Sequence, residues 1–217
     1  MRTLPVAFMA VMGLAACSPQ NSADDRHLGG DPLVGAKIAE AKCAACHGGP
    51  GGATAPGVPS LNEQYPEYLK KQLAAFAAPV GAPNHRVSAV MEPIAQRLSD
   101  SDRDNVIAWY AALWRKPAKP RDLAQVTLGK QIFLHGRPED DLPACASCHR
   151  MDAAGIRPDF PNLAAQDPAY IEFELRNWER LRGHRGKLMS IIAPRVKLEF
   201  TGPLADYLAT QTSKPVD

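Results

Sequence analysis

The chain has 217 residues, 45% of them hydrophobic, which suits one large domain or two small ones and excludes collagen-like, coiled-coil and wholly disordered classes. Its 25 Lys and Arg nearly balance 23 Asp and Glu, leaving a formal charge of +2. No broad basic field is present, so no nucleic-acid partner is expected.

The chain opens on "MRTLPVAFMAVMGLAA", an early positive charge followed by an apolar run ending in small residues. Residues 1–16 therefore read as a secretory signal peptide, too short for a comfortable membrane span. "LAAC" then resembles a bacterial lipobox, in which Cys17 is acylated and becomes the new first residue. Residues 17–31, polar and rich in Ser, Asp and Gly, read as a flexible tether. The expected location is the periplasmic side of a bacterial membrane, with the lipid at Cys17 as anchor.

Residues 32–48, "PLVGAKIAEAKCAACHG", have helical apolar spacing and a glycine stop. They contain the first Cys-x-x-Cys-His group, Cys43, Cys46 and His47; "CASCH" supplies a second in Cys145, Cys148 and His149. In an exported protein, paired cysteines are also compatible with disulfides, a thiol redox couple or a zinc site. The histidine directly behind the second cysteine of both copies is the attachment signal for c-type haem. Residues three and four apart share a helix face, so both thiols and the imidazole can address one flat macrocycle. Two haem c groups are expected, bound through thioethers at Cys43, Cys46, Cys145 and Cys148, with His47 and His149 on the irons.

Aligned on the histidines, "PSLNEQYPEYLKKQLAAF" from Pro59 matches "PNLAAQDPAYIEFELRNW" from Pro161 without a gap, sharing Leu61/Leu163, Gln64/Gln166, Pro66/Pro168, Tyr68/Tyr170 and Leu73/Leu175. "MEPIAQRL" from Met91 pairs with "MSIIAPRV" from Met189, and "AWYAA" answers "ADYLA". The chain is an internal duplication. Met91 and Met189, conserved in place between its two halves, are the expected distal iron ligands, with His85 and His184 as bis-histidine alternatives. Met151 reads as a packing residue.

Further helix signals are Ser99 as a cap with acids in the turn behind it, and Asp167 as a cap before Pro168, with Glu172 four residues ahead of Arg176. No run of strand character occurs. "LWRKPAKPRDLAQ", residues 113–125, with two prolines and four positive charges, reads as a semi-stiff connector. The second half inserts "HGRPEDDLP", expected to be a surface loop, and its distal loop is four residues shorter than the first. Five basic residues between Arg176 and Lys187 suggest either a solvated face or a partner-docking patch.

The haem motif, the Pro-x-Leu, the Tyr-bearing helix, the methionine and the last helix together resemble a class I cytochrome c domain, and the tandem resembles the diheme cytochrome c4 family. The resemblance implies an all-α fold: domain 1 over residues 32–116, a linker over 117–125 and domain 2 over 126–217. It also implies that Pro59 and Pro161 offer their carbonyls to Nδ1 of His47 and His149, fixing the ligand rings. With both axial positions filled, the expected role is single-electron transport between respiratory redox partners, with a quinol-oxidising complex as donor and a haem-copper terminal oxidase as acceptor. No catalytic residue is expected. The alternatives are a cytochrome subunit of a periplasmic dehydrogenase, a diheme enzyme with one open haem, or a thiol oxidoreductase. Small domains have thin cores, so the apo halves are expected to fold poorly.

Overall fold

The computed structural model describes residues 29–52, 55–182 and 186–212. The signal peptide, Cys17, most of the tether, His184 and Arg185 lie outside them. Among the described residues there are helices and four isolated bridges but no strand, as the patterning requires.

The first half holds α1 (Pro32–Lys42), α2 (Ala44–His47), α3 (Pro66–Ala77), α4 (Met91–Gln96) and α5 (Asp100–Ala112). The second holds α6 (Val126–His135), α7 (Ala146–His149), α8 (Pro168–Arg176), α9 (Trp178–Arg182), α10 (Leu188–Ile192) and α11 (Leu198–Thr210). Local chemistry sets the boundaries. Asp31 caps α1 by accepting from Leu33 N and Val34 N, with Pro32 in the first turn. Ser99 and Asp102 form a capping box on α5, and Asp167 caps α8 by accepting from Tyr170 N at 2.8 Å.

Within each half the first and last helices cross where a glycine removes the side chain. A Cβ on Gly35 in α1 would stand 2.0 Å from Asn105 O of α5, and one on Gly129 in α6 would stand 1.9 Å from Pro203 O of α11. The same device, used twice, brings the crossing helices to backbone contact. Each half buries its own apolar cluster: Ala39, Leu69, Val106, Ile107 and Tyr110 in the first, with Ile132, Phe133, Ile171, Phe200, Leu204 and Leu208 prominent in the second. The first cluster is small, consistent with a domain that needs a further apolar body at its centre.

The halves meet through a polar, largely buried interface. Glu174 of α8 receives Arg86 at 2.7 Å from the first half and Arg182 at 2.6 Å from its own, while Gln72 Oε1 accepts from both guanidiniums at 2.8 and 3.0 Å. Arg86 also lies over the Phe76 ring and Arg182 over the Trp178 ring. Gln72 and Glu174, like Phe76 and Trp178, occupy matching places in the duplicated sequence, so the halves face each other in a near two-fold arrangement. Burial pushes the Glu174 carboxyl up, but Arg182 and Arg86 together hold it below the usual carboxylate range.

Three sequence expectations change here. Arg115, read as part of a semi-stiff connector, is 1% exposed and reaches across the interface to donate to Ala164 O at 2.9 Å and, more weakly, to Asn162 O, with a further weak bond to Ser60 O of its own half. Burial pulls its pKa down to about 10. Arg182, in the run read as either a solvated face or a docking patch, is 7% exposed and belongs to the interface; Arg176, in the same run, bonds Glu172 and Thr201. The inserted loop is a folded hairpin-like turn: Arg137 and Leu142 exchange backbone bonds, Leu142 is buried in the second core, and Arg137 lies over the Phe200 ring. In each case the amphipathic length of the side chain, or one apolar residue in a polar stretch, outweighed local composition.

Glu174→Gln removes the carboxylate that two buried guanidiniums share and is expected to lower stability by about 3 kcal/mol in denaturant unfolding. In the parent protein the folded carboxyl is the stronger acid, so its stabilisation is present above the unfolded pKa of about 4.3 and is lost as the pH falls through the lower folded value. The substitution should remove that part of the acid dependence.

Candidate functional site

Cys43 ends α1 and starts α2, and its carbonyl accepts from Cys46 N at 3.1 Å and His47 N at 2.9 Å. Cys145 O does the same for Cys148 N and His149 N, at 3.2 and 2.9 Å. One tight turn thus carries each motif, with its second cysteine and histidine three and four residues beyond the first. No disulfide joins these four cysteines. Burial pushes the thiols of Cys43 and Cys145 up to about 11, although Lys42 works against this at the first. Disulfide exchange proceeds through the thiolate, which this burial disfavours at Cys43 and Cys145. Nor, among the described residues, do three His, Cys, Asp or Glu side chains converge as zinc ligands would.

His47 and His149 are buried, and burial lowers both imidazole pKa values while the proline carbonyls oppose it. His47 Nδ1 lies 2.8 Å from Pro59 O, and His149 Nδ1 lies 3.1 Å from Pro161 O. A carbonyl can only accept, so Nδ1 carries the proton and Nε2 keeps its lone pair. Tyr110 adds a further brace in the first half, donating its buried OH to Gly48 O at 2.9 Å, directly behind His47. Phe160 sets its ring edge-on to His149.

Met91 is the first residue of α4, half-buried, with its N–H accepted by Ser88 Oγ at 3.1 Å. Met189 is the second residue of α10, also half-buried. In the second half Trp178 packs against the distal loop. Its Nε1 donates to Ser190 Oγ at 3.2 Å, and its ring packs so closely on Gly186 that a Cβ there would stand 2.4 Å away. His85, the alternative ligand in the first half, is buried with Nε2 3.3 Å from Glu92 Oε2, in ion-pair range but without hydrogen-bond geometry. Met151 is 75% exposed and packs against nothing substantial, because Arg150 turns the chain outward after His149.

These residues fit a haem in each half. The donor set is a neutral imidazole with a free Nε2, two thiols on one turn and a thioether on a separate element. Val87 and Val90 before Met91, and Leu188 and Ile191 around Met189, are exposed apolar side chains that an apolar macrocycle would cover. The Nε–H of Arg115 is buried without an acceptor, beside the Ser60 that follows Pro59, and has the chemistry to receive a carboxylate such as a haem propionate.

Sequence reasoning supplied the candidate ligand positions and missed Arg115, Trp178, Tyr110 and the role of two glutamines paired by the duplication. Their signal was recurrence at a fixed offset, visible for Gln64 and Gln166 and absent for Arg115.

The Cytochrome c family matches residues 34–114. A "thiosulfate dehydrogenase electron acceptor" of Thiomonas intermedia is 36% identical over 180 residues, covering 81% of each chain. A "cytochrome c4" of Thiocapsa roseopersicina is 33% identical over 151 residues, covering 69% of this chain and 75% of that protein. The structure of reduced recombinant cytochrome c4 from Pseudomonas stutzeri superposes with a TM-score of 0.76 at 28% identity, covering 84% of this chain and 99% of the other.

The residue behind each motif histidine adopts a conformation that suits glycine. Gly48 has φ 69° and ψ −171°, whereas Arg150 is held at φ 65° and ψ 161°. Arg150→Gly is therefore expected to stabilise the second half by about 1 kcal/mol, relieved strain outweighing glycine's entropy. Thermal unfolding of the holoprotein would show it as a raised midpoint.

Proposed function

The chain belongs to the diheme cytochrome c4-type family of electron carriers, and from that premise we propose that it is lipid-anchored through Cys17 on the periplasmic side of a bacterial membrane, passing electrons from a dehydrogenase towards a haem-copper terminal oxidase. Two covalently bound haem c groups are its cofactors. The observation that carries the assignment of ligands is the repeated Nδ1-to-proline-carbonyl bond, at 2.8 and 3.1 Å, which leaves Nε2 of His47 and of His149 as the coordinating atom.

Each haem supplies an iron that alternates between the ferric and ferrous states. The chain's own residues do the rest. Cys43 and Cys46, and Cys145 and Cys148, hold the macrocycles by thioether bonds. Pro59 and Pro161 keep each imidazole neutral at Nε2 and fixed in rotation. Met91 and Met189 would each hold the iron by a thioether, which favours a higher potential than a second imidazole would. With a histidine and a methionine both holding each haem iron, no site would remain for a substrate to coordinate, as a carrier rather than an enzyme requires.

What supports a dehydrogenase as donor is the 36% identity to a protein whose name gives it that role with thiosulfate dehydrogenase. The oxidase as acceptor follows from the family resemblance. Among the described residues no helix is long and apolar enough to cross a membrane; in this reading the lipid at Cys17 is the attachment.

Two measurements test the reading. The ferric protein should show near-infrared sulfur-to-iron absorption with the intensity of two methionine ligands, and the reduced protein should leave carbon monoxide unbound; uptake by half of the haem would make it an enzyme with one open site. Cys17→Ser should move the protein from the membrane to the soluble periplasmic fraction, with its haem content unchanged.

A further inference from the structure

Each half buries one glutamine, Gln64 at 6% and Gln166 at 3% exposure, in a place that ligand binding leaves unused. Gln166 Oε1 accepts from Ser60 N at 2.7 Å and its Nε2 donates to Ser60 O at 2.9 Å. Gln64 grips Asn162 in the same manner, accepting from its N at 2.9 Å and donating to its O at 2.9 Å. The Ser60 N–H belongs to the same peptide group as Pro59 O, the acceptor for His47 Nδ1. Likewise the Asn162 N–H shares its peptide group with Pro161 O, the acceptor for His149 Nδ1. Each glutamine thus holds, in the opposite half, the peptide group to which that half's imidazole is bonded.

An amide is polarised as a unit. When its N–H donates, electron density moves towards its oxygen, and every bond that oxygen accepts is strengthened, by roughly 10–30% per bond in a buried chain. A stronger acceptor at Nδ1 gives the imidazole more anionic character, and a more basic ligand favours ferric over ferrous iron. The chain of bonds runs from the Gln166 amide through the Pro59–Ser60 peptide to His47, and from the Gln64 amide through the Pro161–Asn162 peptide to His149.

We propose that Gln64 and Gln166 are positioning residues that couple the two haem centres crosswise, each tuning the proximal histidine of the opposite half. The proposal rests on the reading of His47 and His149 as proximal iron ligands. It makes the interface between the halves part of the redox machinery: a change in how the halves pack alters both proximal bonds together. If the glutamines acted only as adhesive, their loss would weaken the interface without distinguishing one haem from the other.

The test uses the full-length holoprotein with Gln166→Met, Gln64→Met and Gln166→Glu. Methionine keeps the length and burial but has no amide. Redox titration is followed by paramagnetic proton NMR, with haem methyl signals assigned to each half through Overhauser contacts with neighbouring side chains. Gln166→Met should raise the ferrous-to-ferric ratio of the haem at His47 roughly two- to fourfold at fixed potential, about 20–35 mV at 59 mV per decade, leaving the haem at His149 unmoved. Gln64→Met should do the converse. Gln166→Glu, which keeps the acceptor and adds charge, should shift the His47 haem downwards, and it decides the matter alone if the methionine variants do not fold. Shifts confined to the substituted half, equal shifts in both haems, or none would overturn the coupling. A pyridine haemochrome count on the parent protein separates the two levels: two haems with uncrossed shifts overturn the coupling alone, whereas fewer than two overturn the carrier reading on which it stands.

Discussion

The bond from an imidazole Nδ1 to a proline carbonyl, made once in each half, is the constraint on which the remaining architecture depends. An iron ligand must present a lone pair in a fixed direction, and a histidine ring can rotate and exchange tautomers unless its other nitrogen is engaged. Pro59 O and Pro161 O engage it, twelve residues beyond each histidine. The surrounding fold serves to deliver that carbonyl. The glycine crossings of α1 with α5 and of α6 with α11 bring the terminal helices of each half together, and Tyr110 of α5 reaches back to the residue behind His47.

The same proline segments form the centre of the interface between the halves. Ser60 and Asn162, which follow the two prolines, are where Gln166 and Gln64 cross over, and Arg115 closes the space between them by donating to carbonyls of both halves. A charged cluster also bridges the halves: two arginines share one glutamate and one glutamine. Buried ion pairs of this kind contribute less to stability than to uniqueness of arrangement, because desolvation offsets much of their attraction. In a two-centre carrier, a fixed arrangement has a direct use: it keeps the separation of the redox centres constant, so that passage between them does not wait on domain motion.

Much of this was legible in the sequence because its signals were local or repeated. Capping at Ser99 and Asp167 is decided within four residues, and the structure has both caps; Asp31, read as the end of the tether, is a third. The two Cys-x-x-Cys-His groups announced the cofactor by spacing, and the duplication supplied an internal alignment that a single domain would lack. What could not be read depends on contacts across about fifty to a hundred residues of sequence. Arg115 looked like one of four connector charges, and only its reach to Ala164 and Asn162 makes it a core residue. Arg182 lay in a basic run whose members turn out to have different fates, because Glu174 and Gln72 face only some of them. Met151, an apolar residue directly after a haem motif, reads as packing from sequence, yet it follows the positive-φ turn at Arg150 and is exposed. Burial of a long side chain is a tertiary property, and composition within a window does not carry it.

Digestion of the exported protein, followed by mass spectrometry of the peptides containing residues 43–47 and 145–149, tests the central claim most directly. Both peptides should carry the mass of one haem, retained under denaturing conditions because thioether bonds hold it. A haem mass on only one of them, or two unmodified or disulfide-linked cysteine pairs, would contradict the account of a protein built around two fixed imidazoles.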